Sequence, residues 1–141
     1  MSAHFVAVKL ESGPNAKRMA QLGLRWLPAT AILDAEERLQ HGWVGYLPPV
    51  DFAIELAFGR AMATYSGRDL DGARAQWTEL EARHPTSERA PESLYWAGVA
   101  AYRQAKGDLA AAVAVWRGIS ERHPSSLWAR KTEIFLEGEP A

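Results

Sequence analysis

The sequence predicts an α+β protein, in which a small β/α part over residues 1–48 precedes an array of antiparallel helices over residues 49–137. Three observations predict this fold class. Before residue 48, short segments rich in β-branched and aromatic residues are separated by glycine and proline, which is typical of strands and turns. From residue 50 onward, apolar residues recur at three- and four-residue steps, which is typical of amphipathic helices. One stretch of the helical half also returns further along the chain, as stacked helical units do.

The composition is ordinary for a globular protein and excludes some classes of chemistry. The 141 residues suffice for one domain or two small ones, and 48% of them are hydrophobic. A net charge of −1 gives no electrostatic reason to expect a nucleic-acid or anionic-membrane partner. The chain has no cysteine, which excludes disulfides, thiolate nucleophiles and sulfur-ligated metal sites.

The chain shows no targeting pattern. No apolar run approaches the roughly 20 residues that span a bilayer. The first ten residues lack the basic head and long apolar stretch of a secretory signal. We therefore expect a cytoplasmic location without membrane insertion, or a periplasmic one if a signal lies upstream of Met1.

Residues 1–48 are predicted to form a strand, a short helix and a β-hairpin. Ser12 can cap the helix, Pro14 suits its first turn, and Gly23 suits a left-handed end. The predicted elements are a strand over residues 5–10, a helix over 15–22, and two hairpin strands over 29–33 and 38–44 joined by a polar turn.

The remainder is predicted to form five helices. Asp69 and Asp108 each precede a helix, where an aspartate side chain can accept hydrogen bonds from free backbone N–H groups. The predicted helices are one over residues 50–65, one from Asp69 to His84-Pro85, one with Pro91 in its first turn that ends near Gln104, one over 109–122, and one over 126–136.

Two of these helices carry the same pattern at a fixed spacing. The equivalent positions, each 39 residues apart, are Asp69 and Asp108, Trp77 and Trp116, and Pro85 and Pro124. A constant period of this size indicates one helical unit copied in tandem, which buries its apolar face by stacking on its neighbour. Trp77 and Trp116 are therefore expected at matching places between paired helices.

The helical half resembles tetratricopeptide repeats. The positions that carry the resemblance are Leu94, Ala97, Gly98, Tyr102, Ala112, Trp116 and Pro124 in the second unit, and Ala61, Tyr65, Ala73, Trp77 and Pro85 in the first. The second unit departs from the family pattern by a two-residue insertion around Ala105-Lys106, and Ala57 stands where a larger residue is usual. By this resemblance the helix over 50–65 belongs to the first unit, the last helix caps the array, and the β/α part covers its other end.

The resemblance also implies a binding surface. In tetratricopeptide proteins the first helix of each pair lines a concave groove that holds a peptide or a partner helix. Carried over by position, the groove residues are Glu55, Phe58, Met62, Tyr65, Ser66, Glu92, Tyr95, Val99, Tyr102 and Arg103. An apolar and aromatic surface of this kind is typical of an interface. The alternative is that the β/α part or the last helix of the chain itself fills the groove.

The first half resembles the back half of a thioredoxin fold. The resemblance rests on the order strand, helix, proline, hairpin, glycine, helix, and on Leu27-Pro28-Ala29-Thr30 at the start of a strand. It implies a structural cis peptide bond before Pro28. The Cys-x-x-Cys motif of that family and the strand before it are missing here, and thiol–disulfide exchange requires a thiolate. This chain therefore lacks that activity by itself.

The missing strand leaves a sheet edge without a neighbour. Residues 5–10 could pair with residues 29–33, a second copy could donate a strand, or the stretch could remain poorly ordered. We expect two copies to associate through this edge as a homodimer. The chain may equally be a fragment of a longer protein.

Other candidate sites have a structural explanation. A metal site at the histidines (His4, His41, His84 and His123) is less favoured than capping, because His84 and His123 lie at helix ends. The carboxylates of Asp34, Glu36 and Glu37 fit a solvated turn better than acid–base chemistry. Among the tryptophans, Trp77 and Trp116 are expected in the core, and Trp26, Trp43, Trp96 and Trp128 are expected in packing rather than in ligand binding.

Two functions remain open. The first is a non-enzymatic module that binds a protein or peptide partner, with no cofactor, metal or catalytic residue. The alternative is the C-terminal part of a thioredoxin-related oxidoreductase or chaperone whose redox motif lies upstream or is lost.

Overall fold

The computed structural model describes residues 4–138, which form a mixed α+β fold with six helices and one two-stranded antiparallel sheet. The α+β class predicted from the sequence is confirmed. The elements are α1 (Ala16–Gln21), β1 (Ala29–Leu33), β2 (Leu39–Val44), α2 (Pro49–Ser66), α3 (Leu70–Arg83), α4 (Arg89–Gln104), α5 (Leu109–Arg122) and α6 (Leu127–Leu136). None of these helices combines the length and apolar character that a membrane span requires.

The predicted hairpin forms, and it packs on helix α2. Ile32 of β1 pairs with His41 of β2, and both side chains lie against α2 at Gly59. A side chain at position 59 would overlap Ile32, so glycine is required for this close approach. The peptide bond between Leu27 and Pro28, which leads into β1, is cis, as the resemblance to thioredoxin implied.

The prediction of a strand over residues 5–10 is wrong. These residues belong to no helix or strand, and Val6 and Val8 are 93% and 72% exposed. Helix α1, which follows them, buries none of its residues. A strand is stable only with a hydrogen-bonded neighbour, and in the structure this segment does not pair with β1.

Helices α2 to α6 pack on one another in chain order. The two helices that carry the repeated pattern, α3 and α5, begin and end alike. Asp69 accepts a hydrogen bond from the backbone N–H of Gly72, and Asp108 accepts one from Ala110, so both predicted aspartate caps are confirmed. At the other ends, His84 and His123 adopt nearly the same backbone conformation, with φ of −132° in both and ψ of 57° and 48°.

The two repeated tryptophans lie in matching surroundings. The Trp77 ring lies between Phe58 of α2 and Trp96 of α4, with centroid distances of 6.4 and 6.2 Å. The Trp116 ring lies between Tyr95 of α4 and Phe135 of α6, at 5.5 and 5.2 Å. Trp77 therefore fills the space between α2 and α4, and Trp116 fills the space between α4 and α6. Each tryptophan belongs to one of the two clusters of buried hydrophobic residues.

Helix α6 is the last helix described, and one position on it is more polar than its counterpart in α4. Ala129 and Thr132 are buried, as are Ala90 and Ser93, the residues 39 positions earlier in α4. The same spacing places the exposed Glu133 where α4 has the buried Leu94. Because a further helix would bury that position, the glutamate there suits a terminal helix.

Candidate functional site: the face of helices α2 and α4

The predicted groove residues lie on α2 and α4, which contact each other. The structure divides them into three groups. One group lies under the β-hairpin, a second lies under α6, and a third remains open between them. The three groups differ in what a partner could reach.

The hairpin covers the first group. Phe58 is only 2% exposed, because the ring of His41 lies 5.1 Å away and the guanidinium of Arg89 lies 5.0 Å from its centroid. The prediction that Phe58 is available to a partner is therefore wrong, since it is a core residue. At this end of the predicted groove, the hairpin of the chain itself occupies the place that a partner would take.

Glu55 is held by charged and polar partners at the same end. Its carboxylate accepts hydrogen bonds from Nε2 of His41 and from Nε of Arg89, the latter at 2.9 Å. Arg89 also pairs with Glu92, another predicted groove residue. Burial alone would raise the pKa of Glu55, but the hydrogen bonds from Arg89 and His41 hold it below the usual value. Glu55 and Glu92 thus join the hairpin, α2 and α4 rather than face a partner.

Helix α6 covers the second group. The Tyr95 ring stacks on Trp116 with an interplanar angle of 5°, and the Trp128 ring of α6 lies 4.8 Å away. Lys131 lies over the outer side of Trp128, with Nζ 4.1 Å from the ring centroid. Tyr95 therefore packs against aromatic rings but remains partly exposed, so its contact with a partner stays a prediction.

The third group forms what we call the open face: Met62, Tyr65, Val99, Tyr102 and Arg103. Met62 and Tyr65 are three residues apart on α2, as are Val99 and Tyr102 on α4, so each pair lies on one side of its helix. Tyr102 is 40% exposed and Arg103 is exposed, whereas the other three are partly buried.

The open face combines aromatic rings with one cation. The guanidinium of Arg103 lies 5.0 Å from the centroid of the Tyr65 ring, within the range of a cation–π contact. The Tyr65 ring in turn packs on Trp77 and Trp96 of the core. Ser66, beside it on α2, donates its hydroxyl to the side-chain oxygen of Gln40 in the hairpin. The aromatic part is thus fixed in place by the core beneath it.

A buried carboxylate between α3 and α5 is a feature that no sequence pattern predicts. Glu81 is 5% exposed and accepts hydrogen bonds from Nε of Arg122 at 3.0 Å and from Nε2 of His123 at 2.9 Å. Burial would raise the pKa of Glu81, but these two partners lower it. His123 was expected to cap helix carbonyls, and it contacts this carboxylate instead. Arg122 and His123 lie 41 and 42 residues after Glu81, and contacts over such a distance leave no local pattern in the sequence.

The other residues considered as possible site residues either stabilise the fold or have no assigned role. Asp34 accepts backbone hydrogen bonds from Glu36 and Arg38 and pairs with the Arg38 side chain, so it fixes the hairpin turn. Trp26 is 75% exposed, so the expectation that it packs is wrong. Between residues 4 and 138 no group of three or more metal-ligating side chains is assembled.

Comparison of the chain with protein-family models, with curated proteins and with solved structures gives no match. The geometry of the open face and of its surroundings therefore carries the functional proposal.

Proposed function

We propose that this chain is a non-catalytic interaction module whose open face binds a peptide or a helix of a partner protein. One observation carries the proposal: the exposed Tyr102 stands beside Arg103, whose guanidinium covers the ring of Tyr65. Tyrosine and arginine are enriched among the residues that dominate binding energy at protein interfaces. The core beneath fixes the Tyr65 ring, so little conformational entropy of that side chain is lost when a partner binds.

The chemistry of the open face suggests the kind of segment it accepts. Met62 and Val99 supply apolar contact, and Tyr102 supplies a ring with a hydroxyl. Arg103 supplies a charge that a carboxylate of the partner can meet. An amphipathic segment with apolar residues and at least one acidic residue fits this arrangement, in the manner of a helix bound in a groove.

The buried carboxylates support a role without catalysis. An acid–base group works best when its pKa is close to the working pH. In Glu55 and Glu81 the arginine and histidine partners lower the pKa instead, so both carboxylates remain ionised at neutral pH. Both glutamates bridge separate elements of the fold, which is a structural role.

The proposal can be tested with a phage-displayed library of random peptides. The wild-type chain is expected to select apolar–acidic peptides, and Tyr102→Ala and Arg103→Glu are each expected to weaken their binding about tenfold or more. Leu109→Ala is a matched control, because Leu109 is 43% exposed but lies on α5. The proposal fails if the folded variants bind the selected peptides as tightly as the wild type, or if no peptide is selected.

A second proposal is that the chain is the C-terminal part of a thioredoxin-related oxidoreductase or chaperone. The observation that favours it is the order α1, β1, β2, α2, with a sheet that ends at β1. The coding sequence upstream of Met1 decides this question. An in-frame Cys-x-x-Cys would support it, and an in-frame stop codon before any such motif would exclude it.

A further inference from the structure

Strand β1 has a free hydrogen-bonding edge. In an antiparallel pair, successive residues alternately point their backbone groups toward and away from the partner strand. The backbone N–H of Gly45 donates to the carbonyl of Pro28 at 2.7 Å, which sets this alternation. Thr30 and Ile32 therefore bond with β2, and the N–H and C=O groups of Ala29, Ala31 and Leu33 point to the other side.

Nothing in the described part of the chain covers this edge. The sheet contains only β1 and β2, and no backbone hydrogen bond from another described segment reaches Ala29, Ala31 or Leu33. Proteins protect such edges with charged residues, proline or bulges. The sequence of β1, Ala-Thr-Ala-Ile-Leu, has no charge and no proline, and its one irregularity lies at its end, between Ile32 and Leu33.

The chain also contains a segment suited to that edge. Residues 5–10 alternate in the manner of a strand but are unpaired, and Val6, Val8 and Leu10 are 93%, 72% and 54% exposed. Immediately before β1, Trp26 and Leu27 are 75% and 58% exposed. These five side chains together form exposed apolar surface at and beside the free edge.

We propose that the free edge of β1 is an interface for a second copy of this chain, and that each copy adds its residues 5–10 to the β1 edge of the other. The second copy is the occupant that the structure favours, because each chain carries both the unpaired edge and the unpaired segment. Burial of Val6, Val8 and Leu10, which are 93%, 72% and 54% exposed, would stabilise such a contact. A reciprocal exchange closes as a two-fold dimer, so it does not propagate into a filament. The dimer does not depend on the open face.

A disulfide trap tests which segment meets the edge, because the chain has no cysteine of its own. One preparation carries Ala31→Cys, and a second preparation, with a tag of different size, carries Ala7→Cys or Val8→Cys so that both faces of the added strand are sampled. After mixing and mild oxidation, we expect a cross-linked product of two different chains. Ile134→Cys, at a residue that is 71% exposed on α6, is the control and should not cross-link to Ala31→Cys.

Variants that carry both cysteines in one chain distinguish pairing within a chain from pairing between two chains. If Ala7→Cys/Ala31→Cys or Val8→Cys/Ala31→Cys closes a disulfide within one chain and the mixed single variants do not cross-link, the segment fills its own edge and the proposal is wrong. No cross-linking above the Ile134→Cys control would also overturn it.

Sedimentation analysis provides an independent measurement. The wild-type chain at concentrations well above micromolar is expected at twice the mass of one chain, which is 15.6 kDa. Val8→Lys should raise the dissociation constant of the dimer about tenfold or more, because lysine disfavours pairing of strand edges. It should leave the monomer folded, since Val8 lies outside every helix and strand. Val50→Lys, at a valine that is 62% exposed on α2, should change nothing. A wild-type monomer, or equal behaviour of the two variants, would overturn the proposal.

Discussion

The indole N–H of Trp116 donates a hydrogen bond to the backbone carbonyl of Tyr95, with 3.0 Å between Nε1 and the oxygen. This contact requires glycine at position 98, because a Cβ there would overlap Nε1 of Trp116. In the first unit Ala61 lies at the corresponding place, 37 residues earlier rather than 39, because the second unit carries two extra residues around Ala105-Lys106. Nε1 of Trp77 is buried and has no hydrogen-bond partner among the described residues. The two units thus pack alike, but only the second has this tryptophan hydrogen bond.

Gly98→Ala is expected to destabilise the protein by about 1–3 kcal/mol, because the added methyl group forces Trp116 out of its place. Gly67→Ala is the control. At the end of α2, position 67 has a φ of −73°, and an added Cβ would meet its nearest neighbour, the carbonyl oxygen of Ala63, at an ordinary 3.4 Å. Because alanine adopts this conformation without strain, stability should be unchanged or rise by up to about 1 kcal/mol. Urea unfolding measures both, and equal destabilisation by the two substitutions would contradict the packing described for α4 and α5.

Trp77→Ala and Trp116→Ala are each expected to cost about 3–5 kcal/mol of unfolding free energy, because both rings fill the space between successive helices. Trp26→Leu, at an exposed ring, should stay within about 0.5 kcal/mol of the wild type. Thermal or urea unfolding measures the difference. If only one of the two core tryptophans proved costly, the equivalence of the two units would be wrong.

Most of the helical half could be predicted from the sequence, because its signals are local. An aspartate cap such as Asp108 marks a helix start within three or four residues of the bonds that it makes. The strand over 5–10 could not be predicted correctly, since a strand depends on a neighbour from elsewhere in the chain. The sequence also predicts an accessible Phe58, because only tertiary packing by the hairpin encloses this side chain.

Glu55→Gln is expected to destabilise the protein by about 1–3 kcal/mol at neutral pH, because Arg89 and His41 lose a charged acceptor. The pKa of Glu55 lies below its ordinary value of 4.5 in the folded protein. The carboxylate therefore stabilises the fold above that value, and this contribution is lost as the pH falls through the folded pKa. The difference in unfolding free energy between Glu55→Gln and the wild type should therefore disappear at acid pH. Urea unfolding across pH measures it.

The control for that experiment is Glu79→Gln, since the Glu79 side chain is 60% exposed and, among residues 4–138, pairs with Arg83 one turn away. An exposed pair of this kind contributes about 0–1 kcal/mol. A loss of stability in Glu55→Gln that stays constant from neutral to acid pH would show that the charge of Glu55 is not what stabilises the junction of hairpin, α2 and α4.

The binding role of the open face is tested most directly by NMR mapping of a bound peptide on the wild-type chain. A library-selected peptide is titrated into isotope-labelled protein, and the shifted signals locate its site. The largest changes are expected at Met62, Val99, Tyr102 and Arg103, with little change at the 71% exposed Ile134 on α6. Changes centred on α6, on α5 or on the outer face of the hairpin, with the open face unaffected, would contradict it.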